Sequence, residues 1–307
     1  MNKPKKFIPV MLMPFQENLS IDYEALEKLI ELYLKAGAKG LFANCLSSEM
    51  FDLSKDEMLE SIDFIIKKVH GRVPVVATGT FDEPLERQAE FIRKVYDLGV
   101  DSVIVITGLM ATEDQSNEEF EQNVLQLLNL TKEIPLGFYE CPVPYKRLIA
   151  PEFLGKLSEL GRVKYHKDTS LDLDHINRKL ANTVDNAQFG LFDAYMVHAV
   201  DSLLAGSAGL SCIQGNYFPE LIVWLCNHYD DVHKQEAVNE VQDFLRTQME
   251  VMHYAYPTAA KYYLQQGGFP IALHTRRMDI EELDEQTKTK LDQLSLNYQD
   301  LKMRLQI

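Results

Sequence analysis

The chain has 307 residues, of which 46% are hydrophobic, so it is long enough to bury a sizeable core. Its formal net charge is −15 at pH 7, and its pI is near 5.0. The resulting negative field repels polyanions, which excludes nucleic acid and anionic membrane surfaces as expected partners. An anionic small substrate would need a pocket that is locally positive or lined by backbone amides.

The cysteine content and the first residues both favour a cytoplasmic protein. The four cysteines form no CxxC pair, which is typical of a reducing compartment. A basic segment at residues 1–6 leads into an apolar run at residues 7–14, which is too short to span a membrane and lacks a small-residue cleavage site. We expect this run to be a first strand and not a signal peptide.

Short β-rich runs alternate with amphipathic helices over the first two-thirds of the chain. The predicted strands are Phe7–Met13, Gly40–Ala43, Val73–Thr78, Ser102–Thr107, Leu136–Tyr139, Val163–His166, Ala187–Gly190 and Gly209–Cys212. The first helix has an apolar stripe at three- and four-residue spacing and ends at Gly37. Two capping boxes and two prolines indicate the starts of later helices, namely Ser54 with Glu57, Ser116 with Glu119, Pro84 and Pro151.

Eight βα units predict a (β/α)₈ TIM barrel. The alternative is an open doubly wound sheet, but such sheets usually carry a glycine-rich phosphate turn after the first strand, and here that strand runs into Pro14-Phe15-Gln16. The alternation ends near Gly215, and helices broken by prolines and glycines follow. We therefore expect a barrel at residues 1–215 and a C-terminal helical region at residues 216–307, packed on the barrel.

Lys167 and Tyr139 lie at the ends of the sixth and fifth predicted strands, where a parallel barrel has its active site. Strand alternation points Lys167 to the same side as Tyr165, and His166 to the opposite side. Burial would keep the amine of Lys167 neutral and therefore nucleophilic toward carbonyls. The simpler interpretations are a solvated lysine and a packed tyrosine.

Two other strand ends could contact a ligand. The second strand leads into Asn44-Cys45-Leu46-Ser47-Ser48-Glu49, a turn that could offer backbone amides and two hydroxyls to a carboxylate. Gly190 ends the seventh predicted strand and would leave room for a ligand near the backbone. An ordinary polar loop explains the first turn equally well.

Together these residues resemble the dihydrodipicolinate synthase and N-acetylneuraminate lyase superfamily. The similar segments are residues 8–15, the turn at residues 46–49, Tyr139 with Pro142, Lys167 with Asp168, and residues 190–193. The resemblance implies a barrel that forms a Schiff base with a 2-keto acid, usually pyruvate, without a metal or organic cofactor. It also implies that Lys167 is the nucleophile, that Tyr139 is the acid/base, that Ser47 and Ser48 bind the carboxylate, and that the chain forms a dimer or tetramer.

Three positions differ from the synthase branch. Leu46 replaces the first hydroxyl of the turn, Thr107-Gly108-Leu109-Met110 lacks the tyrosine that follows strand four, and Pro144 stands where an arginine is expected. These differences lead us to expect a class I lyase or aldolase that is not dihydrodipicolinate synthase itself. The alternatives are a dehydratase or decarboxylase of a keto sugar acid with the same Schiff base, and a keto-acid-binding barrel without catalysis.

Overall fold

The computed structural model describes residues 4–81, 83–277 and 282–307. Among them, eight strands form one parallel sheet in the order β1-β8-β7-β6-β5-β4-β3-β2. Their bounds are Lys6–Phe7 (β1), Leu41–Ala43 (β2), Val75–Thr78 (β3), Ser102–Ile106 (β4), Leu136–Tyr139 (β5), Val163–Asp168 (β6), Gly190–Asp193 (β7) and Gly209–Leu210 (β8).

The sheet closes into a barrel between its two ends. Val10, beyond the end of β1, forms a parallel bridge with Phe42 of β2. The amide of Met11 donates to the carbonyl of Phe42 (3.1 Å), and the amide of Phe42 donates to that of Pro9 (3.0 Å). The predicted (β/α)₈ barrel is therefore confirmed, and the carboxyl ends of its strands converge on one face.

Helices alternate with the strands and cover the barrel. Their bounds are Tyr23–Ala36 (α1), Lys55–Val69 (α2), Leu85–Asp97 (α3), Asn117–Thr131 (α4), Pro151–Glu159 (α5), Leu173–Thr183 (α6), Ala199–Ala205 (α7) and Pro219–His228 (α8). Both predicted capping boxes form at the N-termini of α2 and α4. Gly37 caps α1 with a φ of 100°, a conformation that glycine adopts without steric cost.

The seventh strand was predicted in the wrong place. The sequence indicated Ala187–Gly190, whereas β7 begins at Gly190 and continues to Asp193. The carboxylate of Asp193 can be buried at the end of β7 because it accepts a hydrogen bond from the amide of Tyr195 (2.8 Å) and lies 3.1 Å from the imidazole of His198. Leu191, Phe192 and Asp193, which were expected to follow the strand, are therefore part of it, and Gly190 lies at its start.

In the part of the chain that the structure describes, four further α-helices follow α8: Gln235–Thr247 (α9), Met249–His253 (α10), Thr258–Gln266 (α11) and Glu285–Leu305 (α12). The preceding α8 packs against β1, β8 and α1, although it lies beyond the predicted boundary at residue 215. The division at that residue stays a prediction. Among the described residues, no helix has both the length and the apolar character needed to cross a bilayer.

Candidate active site

Lys167 and Tyr139 lie side by side at the carboxyl ends of two neighbouring strands. The parallel register pairs Tyr139 of β5 with Lys167 of β6, so both side chains point into the barrel. The Nζ atom of Lys167 lies 4.2 Å from the centre of the Tyr139 ring and 5.9 Å from that of Phe42. The two residues that the sequence singled out are thus in direct contact.

Both side chains are almost completely buried, and burial shifts the pKa of each. Lys167 is 3% exposed, and burial lowers the pKa of its amine; the nearby thiols of Cys45, Cys141 and Cys212 oppose this shift. Burial also raises the pKa of Tyr139 well above its ordinary value. The site therefore favours a neutral amine beside a protonated phenol, which are a nucleophile and a proton donor.

The turn after β2 places its two serines differently. Residues Leu46–Ser48 form one turn of 3₁₀ helix. The Ser48 hydroxyl donates to the carbonyl of Met11 (2.6 Å) and accepts the amide of Cys45 (3.2 Å), so it holds the turn together. The Ser47 hydroxyl instead interacts with that of Tyr256. Only Ser47 keeps a hydroxyl that is not committed to the turn.

Glu49 joins this turn to the C-terminal region, a role that the sequence did not indicate. Its buried carboxylate accepts hydrogen bonds from the ammonium of Lys261 (2.8 Å), the hydroxyl of Thr275 (2.7 Å) and the amide of Arg276 (2.6 Å). These partners lie more than 200 residues away in the chain. No local pattern could have identified them.

A second buried network lies outside the barrel wall, behind Lys167 and Tyr139. The Nζ atom of Lys179 in α6 donates to Oε1 of Glu140 (2.5 Å) and Oδ2 of Asp168 (2.7 Å), and lies 3.2 Å from Nε2 of His166. All four side chains are fully buried. His166 is therefore outward-facing, as its position in the strand predicts.

Glu140, His166 and Asp168 are also a set of side chains that could together ligate a metal ion. The ammonium of Lys179 occupies the position between these groups and contacts both carboxylates. It supplies the positive charge that two buried carboxylates need. The arrangement therefore fits a structural ion cluster.

Gly190 lies away from the strand ends at which ligands bind. It pairs with Tyr165, two residues before Lys167. A Cβ atom at this position would lie 2.9 Å from the ring of Phe192 and 3.0 Å from Cβ of Ala208. Close packing accounts for a glycine here, and its predicted contact with a substrate stays a prediction.

Solved structures with the same fold include proteins of the dihydrodipicolinate synthase family. A monomeric dihydrodipicolinate synthase variant superposes with a TM-score of 0.86 at 21% identity, covering 97% of each chain. YagE of E. coli K12, a member of that family solved in complex with pyruvate, superposes with a TM-score of 0.84 at 22% identity, covering 97% of this chain and 98% of its own. These similarities support the barrel fold.

Curated relatives correct one expectation. The 4-hydroxy-tetrahydrodipicolinate synthase of Oceanobacillus iheyensis is 24% identical over 304 residues, covering 97% of this chain and 98% of its own. The enzyme of the same name from Bacillus subtilis is 23% identical over 282 residues, covering 92% and 94%. The expectation that the chain stands apart from the synthases was wrong, because the differences at Leu46, Met110 and Pro144 do not separate it from relatives of that name.

The model of the Dihydrodipicolinate synthetase family matches residues 3–296, which is nearly the whole chain. This match includes the strands that carry Tyr139 and Lys167, the turn with Ser47 and most of the C-terminal helices. The chain therefore belongs to the Dihydrodipicolinate synthetase family.

Proposed function

We propose that this protein is a Schiff-base-forming lyase or aldolase that acts on a 2-keto acid with a pyruvate-like half. The observation that carries this proposal is the buried amine of Lys167 against the Tyr139 ring, on adjacent strands at the carboxyl face of the barrel. Family membership and the pyruvate complex described for YagE support the choice of ligand.

The chemistry begins with the neutral amine of Lys167, which attacks the C2 carbonyl of the keto acid. The phenol of Tyr139 donates a proton to the carbonyl oxygen and takes one back from the attacking nitrogen, which gives the neutral carbinolamine. It then donates that proton to the hydroxyl, which leaves as water, so that an iminium on Nζ and the Tyr139 phenolate remain. The iminium accepts the electron pair released when a carbon–carbon bond breaks, or yields an enamine that forms one after loss of a C3 proton. Burial favours the first step because it lowers the pKa of the Lys167 amine and so raises its neutral fraction.

Borohydride trapping tests this mechanism. The protein is incubated with pyruvate or a longer 2-keto acid and borohydride, and the adduct is located by intact mass and peptide mapping. We expect one adduct, on Lys167, and none in Lys167→Ala. Lys164→Ala is the matched control, since Lys164 lies on the same strand with its side chain facing outward toward Gln188, and it should label like the unsubstituted protein.

Turnover assays separate the possible uses of the same intermediate. The trapped keto acids are offered with aldehydes, keto sugar acids are tested for dehydration and decarboxylation, and formation of 4-hydroxy-tetrahydrodipicolinate is measured. Carbon–carbon bond formation or cleavage supports the proposal. Dehydration or decarboxylation alone would reassign the reaction, an adduct without turnover would indicate a binding protein, and folded protein that gives no adduct would contradict the mechanism.

The proposed assembly is a homodimer or homotetramer, and the proposed location is the cytoplasm. Light scattering on the purified protein tests the oligomeric state. The similar structures include a monomeric synthase variant, which shows that this fold can also exist as a monomer. A mass near 35.2 kDa, that of one chain, would contradict an oligomer.

A further inference from the structure

The C-terminal helical region contributes a phenol to the barrel mouth. Between α10 and α11 the chain passes through Ala255, which is buried and has a φ of 52°, a backbone conformation that is uncommon outside glycine. The next residue, Tyr256, is partly buried and extends to residues that follow β8 and β2. Tyr256 lies outside strands β1 to β8, so the pattern of predicted strands gave no indication of it.

Hydrogen bonds fix the orientation of the Tyr256 hydroxyl. The Nδ2 atom of Asn216 donates to the carbonyl of Val10 (2.9 Å) and to the oxygen of Tyr256 (2.6 Å). The Oδ1 atom of Asn216 accepts the hydroxyl of Tyr33. Because the carbonyl of Val10 can only accept, the amide group cannot be reversed. Tyr256 is therefore the acceptor in its bond with Asn216, and its own proton remains available to another group.

The same contacts place Tyr256 beside the proposed reaction site. Val10 is the residue whose bridge to Phe42 closes the barrel. The Phe42 ring lies 5.7 Å from that of Tyr139 and 5.9 Å from Nζ of Lys167. The phenol of Tyr256 is close enough to Tyr139 to help raise the pKa of Tyr139, and it contacts the turn that contains Ser47.

The serines of this turn are not equivalent carboxylate ligands. Ser48 uses its hydroxyl on Met11 and Cys45, whereas Ser47 lies beside the phenol of Tyr256. Ser47 and Tyr256 therefore offer two adjacent hydroxyls that the turn itself does not use. A pair of hydroxyl donors is a suitable partner for the two oxygens of a carboxylate.

We propose that Tyr256 donates a hydrogen bond to the carboxylate of the 2-keto acid, together with Ser47, and so selects acids over neutral ketones. This inference rests on the proposed function. Burial raises the pKa of Tyr256 well above its ordinary value, although the Ser47 hydroxyl opposes the shift. The phenol therefore keeps its proton at neutral pH and can serve as a donor to an anion.

Tyr256→Phe removes only this hydroxyl, and the test compares pyruvate with its uncharged methyl ester. The rate of borohydride trapping at Lys167 is measured against the concentration of each compound. A hydrogen bond to a charged group contributes about 1.5–3 kcal/mol, so we expect the pyruvate concentration for half-maximal trapping to rise about 10- to 100-fold. The value for methyl pyruvate should rise less than that for pyruvate, because a hydrogen bond to an uncharged ester contributes only about 0.5–1.5 kcal/mol, or about 2- to 10-fold.

The matched control is Tyr217→Phe. Tyr217 is a buried phenol that donates to the carbonyl of Met252 (2.8 Å). Its loss perturbs the same region but removes none of the hydrogen bonds of Tyr256, so the pyruvate response should stay unchanged. Equal shifts for both compounds in Tyr256→Phe, or no shift, would overturn the assignment of Tyr256 alone. Failure of the unsubstituted protein to be trapped would overturn the proposed function and this inference with it.

Discussion

Lys167 differs from the other buried lysines of the described chain in what it contacts. Lys179 contacts Glu140 and Asp168, and Lys261 contacts Glu49, so each of these ammonium groups has carboxylate partners. The described residues place no carboxylate within 4.0 Å of Lys167; its Nζ lies over an aromatic ring. A buried charge without a partner is costly, and the amine avoids that cost by losing its proton.

The pH dependence of trapping should report this difference. Because the pKa of Lys167 is lowered from 10.5, its neutral fraction rises at lower pH than that of an ordinary lysine. We expect the initial rate of borohydride-trapped adduct with pyruvate to reach half its maximum below pH 10.5. Butylamine, measured in parallel, corrects for the pH dependence of the chemistry itself. A midpoint at or above 10.5 would contradict the buried neutral amine.

At the scale of elements, Lys179 holds three of them together. It extends from α6 to the residue that follows β5 and to two residues of β6. Glu140 also accepts the amides of Ile149 (2.8 Å) and Thr169 (3.3 Å), which fixes the loops after both strands. The strand ends that present Tyr139 and Lys167 are thereby supported from outside the barrel.

Lys179→Met should strongly destabilise the fold. Removing one partner of a buried ion cluster leaves two carboxylates uncompensated and typically costs about 3–5 kcal/mol. Urea unfolding at pH 7 measures the loss. Lys302→Met is the matched control, because Lys302 pairs with Glu220 near the surface (2.9 Å) and such pairs contribute less than about 1 kcal/mol. Similar losses in the two variants would contradict a special role for the cluster.

At the scale of the whole molecule, the chain segment after α11 fastens the C-terminal region to the barrel. Thr275 and the Arg276 amide bind Glu49, while the Arg276 guanidinium binds Glu57 in α2 and the carbonyl of Leu19. These contacts join residues that are far apart in sequence. Because these contacts include charged carboxylates, we expect the folded chain to become less stable as the pH falls.

Glu57→Gln tests this dependence. The Arg276 guanidinium lowers the pKa of Glu57 from 4.5 to about 2. A lowered carboxyl pKa stabilises the folded state above pH 4.5, and the contribution is lost as the pH falls toward 2. Because the pair is partly exposed, we expect a difference in unfolding free energy of about 1 kcal/mol at pH 6, measured in urea.

The difference between the Glu57→Gln variant and the unsubstituted protein should shrink between pH 4.5 and 2. Glu119→Gln is the control, since Glu119 occupies the same capping-box position in α4 and its carboxylate has no arginine partner among its hydrogen bonds. A pH-independent difference for Glu57→Gln, or an equal one for Glu119→Gln, would contradict a contribution from Arg276.

Local features of the sequence determined the architecture. The period of the apolar residues distinguished strands from helices, and Ser54 and Ser116 marked two helix starts, because a capping box is formed by residues only three positions apart. Strand alternation also placed Lys167 and Tyr139 on the inner face, since that geometry depends on parity alone. The seventh strand was misplaced because it ends in a charged residue, Asp193, whose buried carboxylate is stabilised by Tyr195 and His198 just beyond the strand.

Tertiary structure alone decided which distant side chains meet. Glu49 and Lys261 are 212 residues apart, and Tyr256 reaches the turn of Ser47 from another helical region. A buried polar group needs a hydrogen-bond partner. The residues near it in the sequence do not specify that partner, because any donor or acceptor brought close by folding can satisfy the group. The alternating strands thus fixed where a site could form, and the packing of the C-terminal region determined which groups surround it.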